Sequence, residues 1–256
     1  MQENRVKALW RNGGVAVMCG CSIGNTYASE IMAHAGFDAL MLDQQHSPVD
    51  WSAMTAMIQT IAPTTTEPFV RVPWNNAADI MRALDAGATG IICPMINSRA
   101  ECEAFVGACL YAPRGYRSYG PLSRYTSMPQ DYVGFANANV LPIAMIETRE
   151  AIERIDEILS VPGLAGTFIG PSDLSITLGL EPSPDFSKPD LLPAIDVVFA
   201  AGKRHGVANG ISSPSLNDAR IAIARGADLV WAGSDASHMR AGARAAMADM
   251  RAHLKR

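Results

Sequence analysis

The sequence predicts an α/β chain folded as one parallel (β/α)₈ barrel. Two observations carry this. Eight short apolar runs alternate with amphipathic stretches along the whole chain, the grammar of repeated βαβ units. Eight such units also fit 256 residues, a common length for a barrel. A doubly wound sheet is the alternative, and the missing dinucleotide fingerprint weighs against it. No linker divides the chain, so residues 1–256 read as a single domain.

The expected strands are "VAVMCG" (15–20), "ALMLD" (39–43), "PFVRV" (68–72), "GIICP" (90–94), "LPIAMIE" (141–147), "GTFIG" (166–170), "VANG" (207–210) and "LVWAG" (229–233). Helical patterns follow several of them: "SAMTAMIQTIA" after the second, "ADIMRALDAG" after the third, "AIERIDEILS" after the fifth. Gly36, Gly87, Gly206 and Gly226 close helical stretches, where glycine accepts a left-handed backbone without steric penalty. The irregular segment 110–127, "LYAPRGYRSYGPLSRYTS", is long for a compact domain, and such loops are usually functional or disordered. Its arginines and tyrosines favour function.

Composition narrows the classes. The formal charge of −4 gives no electrostatic reason to expect nucleic acid or an acidic membrane as partner. No apolar run approaches the roughly 18 residues that span a bilayer, and "MQENRVKALW" has no apolar signal core, so a cytoplasmic location is the expectation. Five cysteines without a metal-knuckle spacing read as small buried thiols.

In a barrel the chemistry sits at the carboxyl ends of the strands. Those ends supply Asp43 and His46, Arg71, Glu147, Asp173 and Asp235. Glu147 and Asp173 follow neighbouring strands. Two close carboxylates raise each other's pKa unless a cation lies between them, and oxygen ligands suit Mg²⁺ or Mn²⁺. Equally, each acid could simply favour the start of a helix. Asp43 lies three residues before His46 and could fix its tautomer through a ring nitrogen. Arg71 could bind a carboxylate or a developing oxyanion, or form a structural pair with Asp43. The lysines, Lys7, Lys188, Lys203 and Lys255, follow no strand, so a Schiff base is not expected. The small-residue loops "GISSPS" and "WAGSDAS" leave a phosphate site open.

Taken together, "LDQQHSP", "VRVPWN", "ICPMINSRAE", "IETREA" and "GPSDLS" resemble, in order, the HpcH/HpaI aldolases over roughly residues 5–250. The resemblance implies a divalent-metal, pyruvate-dependent class II aldolase. Its substrate would be a 4-hydroxy-2-oxo acid, cleaved to pyruvate or hydroxypyruvate and an aldehyde. Glu147 and Asp173 would hold Mg²⁺ or Mn²⁺, with Co²⁺ a further option, and no nucleotide is implied. Arg71 would contact the keto oxygen, with His46 and Asp43 as the acid–base dyad. Gly170, Pro171, Ser172 and Gln45 would line the substrate. Gln45 departs from the family, which commonly carries glutamate there. Arg117, Tyr119 and Arg124 are assigned to the aldehyde end. The resemblance further implies a homo-oligomer, commonly a hexamer exchanging its last helix. The face Met239, Ala243, Met247, Met250, Leu254 suits that, or ordinary docking on the chain's own barrel. A citrate-lyase-like CoA-thioester lyase and a non-catalytic keto-acid binder are the other functions to weigh.

Overall fold

The computed structural model describes residues 3–122 and 130–254. Eight parallel strands form a closed barrel in chain order. They are β1 (Ala16–Cys21), β2 (Ala39–Asp43), β3 (Glu67–Arg71), β4 (Gly90–Cys93), β5 (Leu141–Met145), β6 (Gly166–Ile169), β7 (Ala208–Ser212) and β8 (Leu229–Ser234). All eight apolar runs become strands. Of these, β2, β4, β5 and β6 are buried at every residue, which is why they read as continuous apolar runs rather than alternating ones.

The helices are α1 (Arg5–Arg11), α2 (Thr26–Ala33), α3 (Trp51–Ile61), α4 (Ala77–Ala86), α5 (Arg99–Cys109), α6 (Tyr132–Asn139), α7 (Arg149–Glu153), α8 (Ile155–Leu159), α9 (Pro171–Thr177), α10 (Leu192–His205), α11 (Leu216–Ala224) and α12 (Asp235–Leu254). Gly87 and Gly206 cap α4 and α10 with φ of 115° and 66°. The stretch "AIERIDEILS" is not one helix. Arg154 leaves helical geometry at φ −107° and ψ 18°, and α8 restarts with its own buried set, Ile155, Ile158 and Leu159.

Two apolar layers hold the barrel. The outer one lies between strands and helices. The inner one is built from alternate strand residues, including Met18, Met41, Phe69, Ile92, Ile143, Met145 and Phe168. Val6 of α1 joins this inner layer, with Leu9 and Trp10 packed against it. The Trp10 Nε1–H donates to the Asp228 carbonyl at 2.8 Å. Thus α1 lies against the amino-terminal end of the barrel, and the chemistry falls to the other end.

That other end is fixed first by register. Asp43 and Arg71, the last residues of β2 and β3, are directly paired in the ladder. Arg71 donates from Nε to Asp43 Oδ1 at 2.9 Å and from a terminal nitrogen to Oδ2 at 2.6 Å. Both side chains are mostly buried. Burial pushes the Asp43 carboxyl up, but the Arg71 bonds and charge and two backbone N–H groups together hold it below the ordinary aspartate value.

Two predictions follow from this packing. A Cβ at Gly90 would lie 2.6 Å from the Phe69 ring, so Gly90→Ala is expected to destabilise the barrel by about 1–3 kcal/mol, read as a lowered urea midpoint. The lowered pKa of Asp43 means that its unfolded form binds the proton more tightly. The pair's stabilisation is therefore complete above the ordinary value of 3.8 and lost as pH falls below it through the folded pKa. Asp43→Asn should flatten the acid side of a stability-versus-pH curve; an unchanged acid slope would show that the pair contributes nothing there.

Candidate active site

The carboxyl end of β5 carries the central group. Glu147 lies two residues beyond the strand and is only 2% exposed. Its Oε1 accepts the Met95 N–H at 2.9 Å. Met95 follows β4 and takes a left-handed conformation at φ 56°, the single non-glycine residue with positive φ among the described residues. Such backbone stores on the order of 1–3 kcal/mol of strain and persists only where the surroundings enforce it. A Cβ at Gly170 would come within 2.8 Å of Glu147 Oε2, so glycine at the end of β6 is what leaves room for this carboxylate. Burial pushes the Glu147 carboxyl up to about 7, and the Asp173 charge adds to it; the Met95 N–H and Arg71 oppose the rise.

Asp173 sits in the first turn of α9, whose N-cap Gly170 supplies no side-chain bond. Its carboxylate is exposed and is not spent on capping. Pro171 occupies the first helical position, where its missing N–H is of no consequence. Ser172 and Asp173 keep backbone N–H groups at the helix start, where no intrahelical acceptor exists.

The donor set fits a hard dication. Two carboxylates from adjacent strands face one another closely enough for Asp173 to raise Glu147. Glu147 Oε1 is engaged by Met95, whereas Oε2 has no protein donor among the described residues and lies against Gly170. No group of three or more His, Cys, Asp or Glu side chains gathers as a metal site among the described residues. A carboxylate pair of this kind can serve Mg²⁺-type coordination, in which one or two carboxylates are completed by water and substrate oxygens.

Several expectations are corrected here. Asp43 does not hold the His46 ring. Its oxygens are taken by Arg71 and by the backbone N–H groups of Gln45 at 3.0 Å and His46 at 3.3 Å. The chain wraps tightly around the carboxylate after β2, so His46 presents its main chain to Asp43, and the residue is exposed. Gln45 Oε1 is buried with no hydrogen-bond partner, an acceptor left open beside the rim.

Arg117 and Tyr119 do not reach the rim of their own barrel. Their loop follows α5 rather than a strand, so it emerges at the amino-terminal end. There Arg117 donates to Asp85 near the end of α4 at 2.9 Å and stacks 4.5 Å over Tyr111. Tyr119 packs on Tyr111 and Tyr132. Arg117 also lines a cavity of about 600 Å³ with Glu67, Thr89 and Tyr132, remote from the carboxylates. Arg124 lies outside the described residues.

Asp235 is committed to structure, accepting from Ser22 N and Oγ, each at 2.9 Å, and from Ile23 N at 3.1 Å. Ser215 caps α11 in a reciprocal box with Asp218, and Ser234 and Ser237 bond to each other. These hydroxyls close helix starts rather than forming a phosphate cradle. Lys7 belongs to α1 and Lys203 to α10, and Lys188 precedes α10. All five cysteines are buried and free, and burial pushes the Cys19 thiol up to about 12. The signals that sequence reading missed are Met95 and Asn97, whose roles lie in backbone conformation and hydrogen bonding.

Comparison with known proteins shows the family and the fold. Residues 18–241 match the family described as HpcH/HpaI aldolase/citrate lyase. A hydroxypyruvate/pyruvate aldolase of Rhizorhabdus wittichii is 42% identical, covering 97% of this chain and 99% of its own. A 4-hydroxy-2-oxo-heptane-1,7-dioate aldolase of Escherichia coli is 33% identical over 91% of this chain and 89% of its own. The crystal structure of a family protein from Burkholderia cenocepacia superposes with a TM-score of 0.89 at 31% identity, covering 97% of this chain and 99% of its own. This chain belongs to the HpcH/HpaI aldolase/citrate lyase family.

Proposed function

We propose that the protein is a divalent-metal-dependent carbon–carbon lyase, cleaving 4-hydroxy-2-oxo acids reversibly to pyruvate or hydroxypyruvate and an aldehyde. The observation that carries this reading is the buried Glu147 beside Asp173, with Arg71 near enough to oppose the rise in the Glu147 pKa. The relatives named above are aldolases, which favours this over a CoA-thioester lyase.

Glu147 and Asp173 would hold Mg²⁺ or Mn²⁺, with Co²⁺ also suited to the oxygen set. When bound, the ion supplies Lewis-acid polarisation of the 2-oxo acid. Arg71, held in a fixed orientation by Asp43, donates to the 2-oxo oxygen. There it stabilises the negative charge that develops as the C3–C4 bond breaks. The electron pair of that bond moves into the enolate. His46, exposed at the mouth, accepts the proton from the 4-hydroxyl as the aldehyde forms, and a proton returned to C3 completes the 2-oxo acid. The N–H groups of Ser172 and Asp173, beside Gly170 and Pro171, suit the substrate carboxylate. Gln45 Oε1 offers an acceptor to an ordered water. Asp43 thus acts through Arg71 rather than through His46.

The last helix supports a further part of the reading. From His238 to Leu254 every residue of α12 is exposed, including Met239, Met247, Met250 and Leu254. Docking on its own barrel is therefore not what this helix does beyond its first turn. We take it as the element exchanged within a homo-oligomer, a hexamer by family expectation; light scattering that gives a monomer would remove this part. Among the described residues no helix is long and apolar enough to cross a membrane. The free thiols accord with a cytoplasmic setting.

The decisive assay measures pyruvate release from several 4-hydroxy-2-oxo acids. EDTA should abolish it and Mn²⁺ or Mg²⁺ restore it, and borohydride with pyruvate should leave no adduct. Glu147→Gln should lose Mn²⁺ binding with the barrel intact by circular dichroism. Activity persisting in a metal-free preparation would defeat the mechanism. Arg71→Lys should lower kcat about 10²–10³-fold, because an ammonium cannot keep both bonds to Asp43 and still donate to the keto oxygen; a kcat within threefold of the parent's would remove Arg71 from the reaction.

A further inference from the structure

We propose that Asn97 is a positioning residue for Glu147, acting through the backbone of Met95. The inference rests on the reading of Glu147 as a cation ligand. Its basis is a closed circuit joining the loops after β4 and β5. The Met95 N–H donates to Glu147 Oε1 at 2.9 Å. The Met95 carbonyl accepts from Asn97 Nδ2 at 3.1 Å. Asn97 Oδ1 accepts the hydroxyl proton of Thr148, the residue that follows Glu147 in the chain. Thr148 is itself anchored, because its Oγ1 caps α7 by accepting the Ala151 N–H at 3.0 Å. Asn97 is anchored too, through its own N–H to Glu101 Oε2 at 2.7 Å.

The circuit explains an otherwise costly conformation. Met95 has φ 56°, a region that side-chain-bearing residues seldom adopt. The Asn97 carboxamide holds the Met95 carbonyl, which restrains ψ on one side of Met95 while the bond to Glu147 engages its N–H on the other. One carboxylate oxygen of Glu147 is thereby fixed, and its rotation about the last side-chain bond is stopped. The other oxygen lies against Gly170, 2.8 Å from where a Cβ would stand. Outer-shell partners of this kind typically change metal affinity 10–100-fold when removed.

The test uses the full-length, metal-stripped protein and Mn²⁺ alone, with bound ion read by electron paramagnetic resonance. Asn97→Ala should bind Mn²⁺ at least about tenfold more weakly than the parent. Thr148→Val, which removes the hydroxyl but keeps the bulk, should show the same direction, and Thr148→Ser should return to within twofold of the parent. A folded Asn97→Ala protein with Mn²⁺ affinity within twofold of the parent's overturns the inference. Should Asn97→Ala not fold, the contrast between Thr148→Val and Thr148→Ser decides by the same criterion. A parent protein that binds no Mn²⁺ overturns the carboxylate-pair reading itself and takes this inference with it, an outcome distinct from parental binding that the variants leave untouched.

Discussion

The pair between Asp43 and Arg71 is the constraint on which the rim depends. It exists because β2 and β3 are in a register that sets the two residues opposite one another. A one-residue slip of either strand would turn its own charged side chain to the other face and break the pair. Arg71 without Asp43 would be a long cation free to sample many rotamers. With two parallel bonds to one carboxylate it becomes a planar donor of fixed direction. The same carboxylate gathers the N–H groups of Gln45 and His46, so one acid sets the orientation of the guanidinium and the path of the loop carrying the imidazole.

Glu147 presents the opposite problem. A carboxylate this buried loses most of its hydration, which favours the neutral form. The structure offsets that with one amide, from Met95, and with Arg71 at longer range, while Asp173 works against it. The balance leaves the acid poised rather than satisfied. An added dication would outweigh the repulsion from Asp173, so that two repelling anions could serve as two ligands. Polar groups that a protein fully intends for stability are normally bonded on all sides, and here one oxygen is not.

The fold was legible because its strands are buried on both faces, which writes them as unbroken apolar runs. The rim acids were legible because they end such runs. Arg117 and Tyr119 were misassigned because residue chemistry was weighed above topology. Their loop follows a helix, and in a parallel barrel that alone puts it at the amino-terminal end. The bond expected between Asp43 and the His46 ring failed for a different reason. Three-residue spacing cannot distinguish a side chain that meets a ring from one that caps the intervening backbone. Met95 was hidden because nothing in a methionine announces a left-handed backbone.

The helix start after β6 differs from most of those at the carboxyl rim. Asn25, Asp50, Asn76, Ser98, Thr148 and Ser215 each turn a side chain back to bond the exposed N–H groups of α2, α3, α4, α5, α7 and α11. Each of those caps satisfies one or two of the leading N–H groups of its helix. After β6 the cap position is Gly170, which has no side chain to offer. The same missing Cβ gives Glu147 its space. One glycine therefore does two things at once: it leaves the start of α9 without a side-chain cap, and it lets a buried carboxylate approach. α8 and α10 also begin without a side-chain cap, but α8 follows α7 directly and α10 follows a loop, so neither starts at a strand end. The proposed place for an anionic 2-oxo acid and a cation therefore lies where an uncapped helix start and a buried carboxylate meet.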